Sequence, residues 1–291
     1  MLLDFLISRD PIGKGWSGDN KYLVTTPDGT KLLLRTSPAD LYERRKRQFE
    51  NMLAVTAAGV PICSPVEFGI CAEGVYMLLD WVDGKDAEPL IPTLQPDVQY
   101  QYGLDAGRHL KRIHSIPAPE NQEPWSSRYG KKIDRKIAAY ENCPLKYEHG
   151  QKFLDHITRT RHLLSDRPQT YQHGDFHIGN MMIDKHGKLI IIDFYRDDWG
   201  DPWEEFNRIV WSAQAAPAFA CGMVDGYFCG DVPHEFWELL ALYISSNTLS
   251  SLPWALDFGE AEIRTMTAQA EEILRWYDGM NTVIPSWYEH R

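Results

Sequence analysis

Asp175 and Asn180 stand five residues apart in HGDFHIGN (173–180), and an apolar run at 189–192 leads straight into Asp193-Phe194. A D-x-x-x-x-N spacing followed by a buried strand ending in D-F suits one kind of chemistry, phosphoryl transfer. A hydroxyl that accepts a phosphoryl group needs a carboxylate to orient it and take its proton. The phosphates in transit need magnesium, held by an acid and an amide oxygen. Asp175 is therefore the expected catalytic carboxylate, in contact with the acceptor, and Asn180 and Asp193 are the expected metal ligands. Asp, Asn and Gly also populate turns without any chemistry. The hairpin that follows, 181–183 turning through 184–187 into 188–193, needs no Asp or Asn ahead of it. That favours the chemical reading.

The elements that must position these residues follow from pattern. Residues 22–26 and 31–35 read as strands about a turn at Pro27-Asp28-Gly29, 39–58 as a helix, and 66–68 and 74–81 as further strands. Helical periodicity runs through 97–115, 131–140, 152–164 and 263–277. Before the first of these strands, Gly13-Lys14-Gly15-Trp16-Ser17-Gly18 matches G-x-G-x-x-G. A dinucleotide fold would open a helix after such a loop, whereas a strand follows here. Between strands, glycines let the backbone close over nucleotide phosphates, which makes Gly15, Ser17 and Gly18 expected nucleotide contacts. A plain glycine-rich hairpin is the alternative. On KLLLR, alternation puts Lys31, Leu33 and Arg35 on one face.

HGDFHIGN, with the IIDF and GDPWEEF that follow it, resembles the aminoglycoside phosphotransferase family, small-molecule kinases of protein-kinase-like fold. The likeness spans residues 13–205 and is most specific from His173 onward. It implies ATP- or GTP-dependent, magnesium-dependent phosphorylation of a small-molecule hydroxyl. Antibiotic, choline, homoserine and sugar kinases share these motifs, so an aminoglycoside-like antibiotic and a metabolite both stand as acceptors. The implied fold is α+β and bilobal: a small antiparallel-sheet lobe over 1–84, a larger mainly helical lobe over 85–291, and the nucleotide between them. The family's strand lysine falls at Arg35 in this chain, a cation with a wider planar fork; Lys31 is the lesser candidate. Glu50, rather than Glu43, matches the helix acid that pairs with that cation. Backbone groups at Asp80, Trp81 and Val82 match the hinge that meets the nucleotide base. His114 is read as packing. Asp201 fits a helix N-cap before Pro202, and the resemblance makes it a brace of the catalytic region as well.

Composition narrows the partners. The net charge of −11 is uneven: residues 1–82 carry 9 Lys and Arg against 10 Asp and Glu, and the rest carry 21 against 31. An acidic second part argues against nucleic acid and anionic membrane, and suits a cationic small molecule. Glu204 and Glu205 are the acids expected to meet such a substrate, although acids near a helix start are also favoured by its dipole. Five cysteines, odd in number and without C-x-x-C spacing, suggest reduced thiols and a cytoplasmic protein. The N-terminal MLLDFLISRDP lacks a basic stretch and carries Asp4 in its apolar run, unlike a signal peptide. Nothing in the pattern fixes an oligomeric state. Intact Asp175, Asn180 and Asp193 argue against a pseudokinase acting as a binding module.

Overall fold

Alternating leucines decide the first sheet. A computed structural model describes residues 2–13 and 18–289. Within it, β1 (Ser8–Pro11), β2 (Asn20–Thr25), β3 (Lys31–Ser37), β4 (Pro65–Cys71) and β5 (Gly74–Asp80) form an antiparallel sheet in the order β1-β2-β3-β5-β4. Leu32 and Leu34 of β3 point into a cluster with Val24, Tyr76 and Leu78. The period of two therefore turns Arg35 to the other face. Helix α1 (Tyr42–Ala57) buries Arg45, Gln48, Met52 and Val55, one face by helical spacing. Leu53, next to Met52 on the same helix, is exposed.

The chain gathers into two compact units that are not continuous stretches: 1–90 with 173–175 and 179–197, and 91–172 with 176–178 and 198–291. The first unit thus holds the sheet, α1 and the catalytic-loop hairpin. Its second sheet runs β6 (Gly84–Asp86), β8 (Met181–Asp184), β9 (Leu189–Ile191), and short helix α2 (Ala87–Leu90) follows β6. In the second unit, β7 (Thr170–Gln172) pairs antiparallel with β10 (Asp198–Gly200). The rest of that unit is helical: α3 (Pro96–Ile113), α4 (Trp125–Asn142), α5 (Gly150–Thr160), α6 (Ile209–Ala215), α7 (Pro217–Phe228), α8 (His234–Ala255) and α9 (Glu260–Trp276). Helix α8 is apolar almost all round and buried along its length, as a central helix must be. The α+β class expected from sequence is what the chain adopts. The helix expected to start at Pro202 differs: Glu204–Arg208 is a 3-10 turn and α6 begins at Ile209.

Candidate active site

Four of the expected residues come together in the first unit, and His173 explains how. Its ring is fully buried against Phe194, with centroids 4.5 Å apart. Nε2 donates to the Ile192 carbonyl at 2.9 Å, and Nδ1 accepts from the Asp175 N–H at 3.2 Å. One imidazole thereby ties the loop bearing Asp175 to the strand end bearing Asp193. Gly174 must be glycine: its φ is +85°, and a Cβ there would lie 1.9 Å from the Arg196 carbonyl oxygen. Asn180 donates from Nδ2 to the Asp175 carbonyl at 2.8 Å, while its own carbonyl accepts from Ile192 N at 3.0 Å. The first bond fixes which way round the amide sits, with oxygen on its other edge.

Asp193 adopts the left-handed conformation, φ 63° and ψ 62°. A non-glycine residue held there is strained by about 1–3 kcal/mol, a cost typical of functional turns. Arg35 Nη1 lies 3.4 Å from Asp193 Oδ1, so the strand cation and the expected metal acid meet. Asp175 keeps 22% of its side chain exposed and faces Arg196 Nη1 at 3.8 Å. Lys21, directly across β2 and β3 from Arg35, is half-buried. Burial pushes its ammonium below the usual lysine range, against the pull of Asp193. Lys31, by contrast, is exposed at the start of β3.

A carboxylate and an amide oxygen on adjoining segments suit magnesium, a hard cation that commonly takes one or two protein oxygens and completes its shell with phosphate and water. No group of three or more His, Cys, Asp or Glu among the described residues forms a self-contained metal cage. The donor chemistry of Asn180 and Asp193 therefore fits this ion.

Other expectations need correction. Glu50 is exposed on α1, and the acids paired with Arg35 are Asp19 at 3.0 Å and Asp193. At 3.6 residues per turn Glu50 sits well round the helix from Arg45, the α1 residue that faces the network. Glu204 and Glu205 are buried rather than presented to a ligand. Glu204 accepts from Lys132 and Gln172, each at 3.2 Å. Burial works to raise its carboxyl, but the Lys132 and Lys136 ammonium groups outweigh it and hold the group below the usual carboxylate range. Glu205 accepts from Phe176 N at 3.4 Å, with His114 Nε2 3.8 Å away. Both acids anchor the second unit from within.

Gly15 and Ser17 lie outside the described residues; Gly13 and Gly18, on either side, are exposed. At the hinge, both backbone groups of Asp80 are engaged: its N–H donates to Ser64 O, and its carbonyl accepts from the Cys63 thiol at 2.7 Å. Burial pushes that thiol up to about 12, so it stays protonated and can donate. With Asp80 committed in this way, Trp81 and Val82 remain the hinge candidates for base recognition. Sequence reasoning missed Asp19 and Arg45. The first follows the glycine loop like any turn acid, and the second lies in a basic run, 44–47, that resembles a solvated face.

The profile described as APH, phosphotransferase enzyme family, matches residues 9–239. The chain belongs to this family. It is a phosphotransferase that uses a hydroxyl acceptor, and the families of its structural neighbours agree. Aminoglycoside phosphotransferase APH(4)-Ia, a thermostable mutant in ternary complex with ADP and hygromycin B, superposes with a TM-score of 0.66 at 15% identity, covering 94% of this chain and 96% of that one. The GDP complex of wild-type aminoglycoside 2'-phosphotransferase-IIIa gives 0.64 at 15% identity over 95% and 93%. A choline/ethanolamine kinase family protein from Mesorhizobium loti gives 0.65 at 15% identity over 95% and 91%. At such identities the likeness establishes the fold, the kinase-like one. A comparison with curated protein sequences found no match.

Proposed function

We propose that this phosphotransferase moves the γ-phosphoryl group of ATP or GTP, with magnesium, onto a hydroxyl of a small molecule such as an aminoglycoside. The observation that supports this most is the gathering of Asp175, Asn180, Asp193 and Arg35 in one compact unit, joined by short polar contacts. Asp175 orients the acceptor hydroxyl and takes its proton. Asn180 and Asp193 hold magnesium, which would offset the charge on the β- and γ-phosphates. Arg35 and the loop at Gly15, Ser17 and Gly18 cradle the phosphates, and the backbone at Val82 meets the base. In this reading 1–84 serve the nucleotide and 85–291 the acceptor, with fixed charge and positioning supplying most of the rate.

The acceptor is argued from charge. Residues 83–291 are strongly acidic, and a structural neighbour was crystallised with hygromycin B. With Glu204 and Glu205 turned inward, attraction comes from the general field rather than from those two side chains. A metabolic kinase is the second reading, favoured by the equally good match to a choline/ethanolamine kinase family protein. A coupled assay of ADP or GDP release, with magnesium and a panel of aminoglycosides, choline, ethanolamine and homoserine, tests both. The highest kcat/KM should fall on an aminoglycoside; choline or ethanolamine at the top supports the second reading. No turnover of any acceptor, together with no magnesium-dependent nucleotide hydrolysis, would remove the phosphotransfer mechanism.

A further inference from the structure

One carboxylate in the first unit serves two buried guanidinium groups. Asp19, the residue after Gly18, has a side chain only 2% exposed. Its Oδ2 accepts from Arg35 Nη2 at 3.0 Å; its Oδ1 accepts from Arg45 Nη2 and from Ser37 Oγ, both at 2.7 Å. Arg45 continues the chain of contacts. Its Nε donates to Ser37 Oγ at 3.0 Å, and its Nη1 donates to Gln48 Oε1 at 3.1 Å. Gln48 Nε2 then donates to the carbonyl of Phe194, next to Asp193, at 2.7 Å. The Tyr195 ring lies over Arg45 at 4.4 Å and near Arg35 at 5.4 Å. The end of the glycine loop, β3, α1 and the Asp193 turn are thus joined by side chains of one buried network.

We propose that Asp19 is the positioning residue for the phosphate-binding cation. It takes the bracing role that the resemblance assigns to an acid on α1. The α1 residue that faces the network is a second cation, Arg45, while the acid expected to pair, Glu50, lies exposed elsewhere on the helix. The proposal rests on the reading of Arg35 as a phosphate contact. Its logic is electrostatic. A lone buried guanidinium beside Asp193 would collapse onto that acid and compete for the charge that the metal needs. Asp19 engages one edge of Arg35 through Nη2, which leaves the Nη1 edge toward Asp193. Because Asp19 stands between Gly18 and β2, it couples where that strand begins to where the cation points. With Asp193 counted, the cluster sets two guanidinium groups against two carboxylates, so its preference for a polyphosphate over an uncharged nucleoside comes from where Arg35 is aimed rather than from surplus charge.

That difference supplies the test. Binding of AMP-PNP and of adenosine, with GMP-PNP and guanosine as the parallel pair, is measured by calorimetry without magnesium on the intact chain. Asp19→Asn should weaken the better nucleoside triphosphate analogue by about tenfold or more, as loss of preorganisation does, and leave its nucleoside unchanged. Returning the acid to the helix in Asp19→Asn/Arg45→Glu should recover most of the lost affinity, because the new carboxylate on α1 could then pair with Arg35. Asp19→Asn leaves buried Arg45 without its carboxylate and Arg35 with Asp193 alone, and can compromise folding. Ser37→Ala, which removes the hydroxyl between Asp19 Oδ1 and Arg45 Nε but leaves every charge in place, is the milder variant and should weaken the same analogue about two- to fivefold. Equal weakening of analogue and nucleoside would make Asp19 merely structural and overturn the proposal. So would unchanged analogue affinity in folded Asp19→Asn, or in Ser37→Ala should Asp19→Asn not fold. Arg35→Ala separates the two levels. If it leaves analogue affinity intact, the reading of Arg35 fails; if it abolishes affinity while the Asp19 and Ser37 variants do not, only the present inference fails.

Discussion

Asp175 and Asp193 are carboxylates of one small region, yet their surroundings give them different work. Asp175 faces Arg196 at 3.8 Å, and its backbone N–H is held by His173, whereas Asp193 sits in a strained left-handed turn against Arg35. Two substitutions should separate them. Asp175→Asn keeps the size of the side chain and removes the proton acceptor. It should lower kcat by about 10²–10⁴-fold, as general-base loss does, with calorimetric affinity for nucleotide retained. A folded variant with normal kcat would mean that Asp175 only caps its loop. Asp193→Asn removes a charge from a hard-cation site. It should therefore weaken nucleotide binding in the presence of magnesium far more than in EDTA; equal losses in both would take Asp193 off the ligand set. These two acids and Asn180 were readable in sequence because one short stretch of chain fixes their spacing. Asp19 and Arg45 were not, since their meaning arises only when the residue ahead of β2, the strand β3 and α1 meet. Glu50 misled for the opposite reason, being correct in type but on the wrong side of its helix.

Among the elements, the turn after β10 shows how much of the second unit hangs on one side chain. Asp201 is fully buried. It accepts from Arg167 Nε at 2.7 Å and Nη2 at 3.1 Å, from Tyr243 Oη at 2.5 Å and from Trp203 N at 2.9 Å. The Trp203 contact closes a local turn ahead of the 3-10 segment, in place of the helix cap foreseen before Pro202. The larger role, joining Arg167, the 3-10 turn and α8, had no local signature, because Arg167 and Tyr243 are distant in sequence. Arg167 stacks over the Trp203 ring at 3.9 Å, so its guanidinium is fixed from two sides. Removing the charge at Asp201 would leave that part-buried cation with only the exposed Glu235 at 3.4 Å, which costs up to about 3–5 kcal/mol. Asp201→Asn should accordingly lower the denaturant midpoint sharply, and urea unfolding followed by tryptophan fluorescence would read it. A shift of less than about 1 kcal/mol, the size of a single lost hydrogen bond, would reduce Asp201 to holding that local turn. Helices with a clear apolar stripe were legible from periodicity. Helices α7 and α8 were not, because a helix buried on every side has no stripe to read.

For the whole molecule, the sequence suggested a cut near Gly84, whereas the first compact unit also takes in the later segments 173–175 and 179–197. Pattern along a chain cannot reveal that, since β8 pairs with β6 across almost a hundred intervening residues. No helix among the described residues is long and apolar enough to cross a membrane. Global stability should carry a signature of one buried imidazole in the second unit. His156, on α5, is 2% exposed, and neither ring nitrogen has a hydrogen-bond partner among the described residues. Burial, with the nearby Arg159 charge adding to it, pushes this imidazole down to about 4 from 6.5. The sign follows from proton counting. Between those two values the unfolded chain takes up a proton that the folded chain refuses, so unfolding gains as pH falls. Stability attributable to His156 is therefore intact above about 6.5 and declines steadily toward about 4. His156→Leu has no proton to gain and no orphaned nitrogens to bury. It should be close to neutral or stabilising near pH 7.5, since replacing unsatisfied polar atoms by apolar ones of similar shape costs little. Its advantage over the parent chain should then widen as pH falls through the window. Urea midpoints of both proteins at half-unit steps from pH 4 to 8 would read this difference directly. Parallel curves would mean that the folded protein admits the proton, and that this part of the second unit opens to water before the rest unfolds.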